Sequence, residues 1–209
     1  MPKSAPRKMW QNDITLTVED LTFAAQYEEG KGSAPRVLRD TGWLDEDGET
    51  LLLDVGKRLK GGMKEQARTL GGETKSDSVR MGLSIQSLPT PGLVRLPATV
   101  ADFRPSRSWD RFQKRDQYKL NGFPAPEVEV ISAIDGSLRF ALSYTLAKPV
   151  EVSARIFCFV PSLDWERVEN WLAILGQVKG LGDRHNDSAA YGRFVIKASG
   201  KPVEKEIKY

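Results

Sequence analysis

The run from Val150 to Val160 places the tightest constraint on what this chain can fold into. Val150, Val152, Ala154 and Ile156 alternate with Glu151, Ser153 and Arg155, which gives one strand an apolar face and a polar face. Its outer half, Ile156-Phe157-Cys158-Phe159-Val160, is almost wholly apolar, as expected of a strand with neighbours on both edges. Upstream, Glu127 to Ile131 and Leu138 to Tyr144 flank an Asp135-Gly136 turn signal and read as a hairpin. Downstream, Pro161-Ser162-Leu163-Asp164 offers helix caps ahead of Trp165, Val168, Leu172 and Leu175 at helical spacing. Gly176 is expected to end that helix.

The other elements arrange themselves around this centre. Ile14-Thr15-Leu16-Thr17-Val18 alternates as a first strand, and Gln26 to Thr50 reads as a long excursion around Trp43 with an Asp47-Gly48 turn. Leu59, Met63, Ala67 and Leu70 predict a helix stopped by Gly71-Gly72. Gly61 and Gly62 inside it each cost about 1 kcal/mol against Ala, and their presence fits close approach of a neighbour. Val79 to Leu88 is expected as a strand, Arg193 to Lys197 as the last strand, and Ser199 to Tyr209 as a frayed charged tail. Pro89, Pro91, Pro97 and Pro105 break any period, so 89–126 is expected to be an insertion. The order strand, helix, strand, hairpin, strand, helix, strand predicts one α+β domain over 1–209. That domain is ferredoxin-like (RRM-like), with an antiparallel sheet, two helices, an extra hairpin and the long insertion.

Composition narrows the class. Of the 209 residues, 40% are hydrophobic and 28% charged, as in ordinary globular proteins, and no apolar run has the length of a membrane span. The basic stretch from Met1 to Lys8 leads into Trp10-Gln11-Asn12-Asp13 rather than an apolar signal region. The single cysteine, Cys158, sits among aliphatic and aromatic neighbours, which predicts a structural thiol and a reducing, cytoplasmic setting. A net charge of +3 is too small to identify a nucleic-acid binder, but its distribution is uneven. Lys57, Arg58, Lys60, Lys64 and Arg68 face only Glu65 in the stretch 56–68. Arg104, Arg107, Arg111, Lys114, Arg115 and Lys119 outnumber Asp110 and Asp116 in the stretch 104–119, where Phe103, Trp109, Phe112 and Tyr118 are interleaved with them.

Gly180 to Gly192 carries the chemistry. Gly180, Gly182 and Gly192 allow positive φ and bring main-chain N–H groups toward an anion, while Arg184 and Arg193 supply bidentate phosphate donors. Two readings of the loop stay open: a cradle for a sugar-phosphate backbone, and a connection whose glycines only permit tight turning. The interleaved segment likewise reads either as phosphate contacts and stacking platforms from Arg107, Trp109, Arg111, Phe112, Lys114 and Arg115, or as a solvated basic loop anchored by its aromatics.

Gly180-Leu181-Gly182, then Arg184, Ser188 and Tyr191-Gly192-Arg193-Phe194 leading into a β-branched strand, resembles the glycine-rich loop of the RAMP (repeat-associated mysterious protein) superfamily of CRISPR-associated RNA-binding proteins. Arg58-Leu59-Lys60-Gly61 is similar to the Leu-Lys-Gly helix start of that family's backbone subunits. Asp183, Asp187 and Ala189-Ala190 depart from the family's loop. The resemblance implies a fold that grips guide RNA, with Lys57, Arg58, Lys60 and Lys64 and the loop on or near it, and with 89–126 as a thumb or finger. It implies other subunits of a ribonucleoprotein as partners, and leaves target nucleic acid and further copies of this chain as open partners.

No catalytic residue, metal site or cofactor is assigned. His185, the only histidine, lies in the glycine-rich loop, whereas the family's cleaving members place histidine near the first helix, so it is read as a phosphate contact. Asp40, Asp45, Asp47 and Asp54 follow the first strand, where other members carry a cleaving carboxylate, yet nothing singles one out. The expected function is a non-catalytic RNA-binding subunit. A metal-independent endoribonuclease of guide precursors and a ferredoxin-like assembly protein without nucleic acid are the alternatives.

Overall fold

The computed structural model describes residues 7–26, 36–37, 42–105, 122–132, 138–160, 163–181 and 192–207. Its principal sheet is built on β1 (Arg7–Val18), whose alternation buries Ile14, Leu16 and Val18. β10 (Val150–Cys158) pairs antiparallel along one edge of β1, from Trp10 opposite Cys158 to Val18 opposite Val150. β6 (Leu83–Leu88) then pairs with β10, and β11 (Phe194–Ser199) with the other edge of β1. The order β11-β1-β10-β6, all antiparallel, is the fourth-first-third-second arrangement of a ferredoxin-like α+β fold. As the apolar run required, β10 is central.

α1 (Val55–Gly82) and α2 (Trp165–Val178) cover one face. Asp54 caps α1 by accepting from the Lys57 amide at 2.9 Å, and Asp164 caps α2 by accepting from the Arg167 amide at 2.8 Å. Leu59, Met63 and Ala67 are buried on α1, and Val168, Leu172 and Leu175 on α2. Gly62 allows the helices to touch: a Cβ there would lie 2.9 Å from the Leu175 side chain, whereas one on Gly61 would meet open space. Close approach therefore accounts for one of this glycine pair.

Four local expectations are corrected. α1 runs through Gly71-Gly72 to Gly82, because buried Val79 anchors its last turns and two glycines weaken a helix without forbidding it. The expected strand from Val79 accordingly begins at Leu83. α2 passes Gly176 and runs to Val178; just past its cap, Gly180 turns the chain away with φ of +76° while its amide donates to the Leu175 carbonyl. The tail is not frayed over 203–207: β12 (Val203–Ile207) continues the edge begun by β11, pairing with β1 from Gln11 to Arg7.

Smaller sheets complete the molecule. β2 (Thr22–Gln26) lies between β3 (Arg36–Val37) and β9 (Leu138–Thr145), and β9 forms the expected hairpin with β8 (Glu127–Ser132). The Asp135-Gly136 turn lies outside the described residues. β4 (Gly42–Leu44), β5 (Thr50–Leu53) and β7 (Val94–Thr99) form a third sheet. β7 escaped sequence reading because Pro97 masks its alternation, but it is an edge strand with Pro97 exposed, where a missing N–H is tolerated. Phe103 and Phe123 bracket the residues 104–122. Both are buried against Tyr144, with ring centroids 5.8 and 4.9 Å from it, so Phe103 is core rather than a stacking platform.

Candidate nucleic-acid interface

The first turns of α1 are fixed to the sheet by a buried hydroxyl. Ser87 on β6 accepts from the Gly56 amide at 3.1 Å and donates to the Asp54 carboxylate at 3.2 Å. With the helix so held, Lys57, Lys60, Lys64 and Arg68 follow three- and four-residue spacing down one stripe away from Leu59, Met63 and Ala67. Lys57, Lys64 and Arg68 are exposed and Lys60 is half-buried. Lys60 and Lys64 make no ion pair among the described residues. Arg58 is half-buried on the flank shared with Gly62 and Glu65.

This stripe runs against helix electrostatics. The first turn of α1 has no acidic residue, so Lys57 and Arg58 stand at the positive end of the helix dipole with the N-cap carboxylate of Asp54 to offset them. Each cation there costs the fold a few tenths of a kcal/mol, up to about 1. An arrangement that works against local stability is expected where an external anion supplies the compensation.

The root of the glycine-rich loop lies beside that end of α1. The Gly62 and Leu175 contact and an ion pair between Lys179 and Glu65 join the two helices at this level. The loop leaves through Gly180 and Leu181 and returns through Gly192. At its neck the Leu181 amide donates to the Gly192 carbonyl at 2.5 Å, the Gly192 amide to the Asp20 carbonyl at 3.1 Å, and the Glu19 amide to the Arg193 carbonyl at 2.8 Å. Gly192 has φ of +68°, and a Cβ on it would fall 1.8 Å from the Leu181 carbonyl oxygen, so glycine is required by conformation and by space. Arg193 emerges exposed just past the neck.

Asp20 links this neck to the second basic segment. It is the described non-glycine residue with positive φ, 47°, and its carboxylate accepts from Arg104 at 3.1 Å. Arg104 also donates to Glu127 at 3.1 Å, while Glu127 accepts from the Thr145 hydroxyl at 3.3 Å. The two stems flanking 106–121 are thus clamped together next to the loop neck. No local pattern reveals this clamp, since its partners are far apart in sequence. Arg104, counted in the basic cluster, is committed to these two carboxylates.

Lys57, Arg58, Lys60, Lys64, Gly180, Gly192 and Arg193 therefore share one end of the ferredoxin-like layer. Arg107, Trp109, Arg111, Phe112, Lys114, Arg115, Gly182, Arg184 and His185 lie outside the described residues. Among the described residues, the helix-free face of the sheet offers no comparable cationic surface. There Arg155 makes two 2.7 Å bonds to Asp13, Lys197 pairs with Glu151, and Thr15 bonds Ser153 at 2.9 Å.

Of the four aspartates singled out after β1, the three that are described are occupied structurally. Asp45 pairs with Arg95, and Asp54 caps α1. Asp47 accepts from the Thr50 hydroxyl at 2.6 Å and from the Thr50 and Glu49 amides at 2.8 Å. These bonds, the Thr50 hydroxyl foremost, lower its pKa to about 2. Asp40 lies outside the described residues. The buried Cys158 thiol is pushed up from its ordinary range, chiefly by desolvation, which suppresses the nucleophilic thiolate. Among the described residues no group of His, Cys, Asp or Glu is arranged to hold a metal ion, and no helix is long and apolar enough to cross a membrane.

No protein-family model matches the chain, and no curated protein matches it. Among solved structures, it is similar to a chain in a cryo-EM structure of the Type III-B Cmr-beta bound to cognate target RNA. The TM-score is 0.50 at 15% sequence identity, over 92% of this chain and 60% of that one. The chain thus spans less than two thirds of the length of its structural neighbour, and what the two share is the fold.

Proposed function

We propose that the protein is a non-catalytic RNA-binding subunit of a CRISPR-type ribonucleoprotein, a RAMP-type domain over 1–209 that acts in the cytoplasm. It grips the guide-RNA backbone by charge and shape rather than by sequence. The observation that carries this reading is the basic start of α1, capped by Asp54 and held beside the neck of the glycine-rich loop. Cations gathered at one end of a ferredoxin-like layer make a phosphate-binding surface. The fold likeness to a chain from an RNA-bound Cmr complex supports the same reading. In it, 89–126 acts as a thumb-like insertion whose Arg107, Trp109, Arg111, Phe112, Lys114 and Arg115 contact the RNA, and Gly182, Arg184 and His185 complete the loop's phosphate contacts. The engagement of Asp45, Asp47 and Asp54 in the fold favours holding RNA over cutting it.

Purification from cells that carry the neighbouring genes, followed by sequencing of the retained RNA, tests the reading. A uniform short RNA with a repeat-derived handle is expected. Absence of RNA, together with no binding of any RNA at low salt, would leave the assembly-protein alternative. Incubation with repeat RNA is expected to give no cleavage product. Arg184→Ala combined with Arg193→Ala is expected to weaken binding while leaving the melting temperature within a degree or two.

A further inference from the structure

The basic helix and loop neck account for phosphate binding, but a cleft beside them has other chemistry. It has a volume of about 180 Å³ and opens at the edge of β11, where α2 ends. Phe194, Gly176 and Val195 give it an apolar wall, and Arg193, Gln177, Glu19 and Thr17 form a polar rim. Gly176 brings the helix onto the strand, since a Cβ there would lie 2.2 Å from the Phe194 carbonyl oxygen. Val195 is a large apolar side chain left 64% exposed.

The rim is preorganised yet unsatisfied. The Glu19 amide bonds the Arg193 carbonyl at 2.8 Å, which fixes the two residues on neighbouring segments. Their side chains nevertheless make no ion pair among the described residues, in a protein whose other exposed charges often do. An arginine and a glutamate that line one cleft and make no ion pair suit a ligand that has both an anionic part and a hydrogen-bond-donating part.

We infer that this cleft is a pocket for a single nucleobase of the bound RNA, and that it selects guanine. The inference rests on the RNA-binding function proposed above and adds base identity to it. The cleft is smaller than the roughly 300–1,000 Å³ of sites that enclose drug-sized ligands, so it takes one planar ring against its apolar wall. Arg193 adjoins Gly192, which places the phosphate of that nucleotide at the loop neck and its base at the next available depression. Glu19 only accepts hydrogen bonds, so it favours the adjacent N1–H and N2–H donors of guanine and opposes the two carbonyls of uracil. Gln177 both donates and accepts, and so suits the neighbouring guanine O6.

Two RNAs decide the matter: a ten-nucleotide oligouridine, and the same oligomer with alternate uridines replaced by guanosine. The guanosine-containing RNA is expected to bind about tenfold tighter, at the low end of what a bidentate base contact discriminates. Glu19→Gln is expected to remove that preference and bring the affinities for the two RNAs together. Val195→Glu, at an exposed position that does not threaten folding, should do the same by filling the cleft with charge. Equal affinity for the two RNAs in the native protein overturns the pocket and leaves phosphate binding standing. A preference that survives both variants overturns its location, and failure to bind either RNA removes both the pocket and the function on which it rests.

Discussion

The two ends of the ferredoxin-like layer are held by different physics. At the end where β10 finishes, α1 ends and α2 begins, Trp10 meets Trp165 edge to face at 5.5 Å and donates its indole N–H to the Leu163 carbonyl at 2.9 Å. Cys158 is buried there, with its Sγ 3.5 Å from the carbonyls of Val160 and Leu163. At the other end the chain is held by main-chain bonds through Leu181, Gly192, Asp20 and Glu19, and cations stand outward from the start of α1. One end spends its side chains on packing. The other keeps its shape with glycine, backbone hydrogen bonds and the polar clamp of Arg104, so under the proposed function stability and RNA binding are separable along the same β-strands.

Substitutions at the two ends should therefore fail in different ways. Trp10→Ala, at a partly buried site, is expected to lower unfolding free energy by about 3 kcal/mol. RNA affinity measured well below the melting temperature should stay unchanged, and a large affinity loss would show that the ends are coupled. Gly192→Ala is expected to cost about 2 kcal/mol, since it strains a positive-φ position and crowds the Leu181 carbonyl. Unlike Trp10→Ala, it should also weaken RNA binding, because the neck of the loop must shift; denaturant melts and a binding titration on one preparation give both numbers. Arg104→Gln loosens the clamp to Asp20 and Glu127, with about 1 kcal/mol lost from these partly exposed pairs. Its effect on RNA binding is expected to exceed that of Arg155→Gln, which breaks a shorter, bidentate pair on the helix-free face.

The smallest effect lies away from both ends. The hydrogen bonds from Thr50 and Glu49 hold the Asp47 carboxylate at about 2 in the folded chain, below the 3.8 of an ordinary aspartate. A depressed carboxylate stabilises the fold fully above the unfolded value and loses that contribution as pH falls toward the folded one. The turn into β5 should thus be insensitive to pH between 5 and 8 and loosen only between about 4 and 2. The amide resonances of Glu49 and Thr50, followed on acidification, check this, and Asp47→Asn should abolish the transition.

Sequence reading reached what local pattern encodes. The β1 alternation, the central β10, the capped α2 and the β8–β9 hairpin each carry their periodicity within a few residues. It failed where tertiary contacts outvoted local preference: buried Val79 carried α1 past Gly71-Gly72, and pairing with β1 ordered Val203–Ile207. β7 was hidden by Pro97, whose cost vanishes on an edge. At the site, the basic spacing from Lys57 to Lys64 and the glycines of the neck were legible because residue type alone suggests them. The Asp20, Arg104 and Glu127 clamp and the cleft beside Arg193 were not, because each is assembled from segments distant in the chain.

The central claim is that the start of α1 is an RNA-phosphate surface rather than a solvated basic face. The salt dependence of RNA affinity tests it most directly, compared between the native protein and the Lys57→Ala, Lys60→Ala, Lys64→Ala triple variant. Each lost contact to a single strand should reduce the slope of log affinity against log salt by about 0.7, so a drop of about 2 is predicted, with stability unchanged or slightly raised as cations leave the positive end of the helix. An unchanged slope with unchanged affinity would contradict the account and place the RNA elsewhere on the molecule.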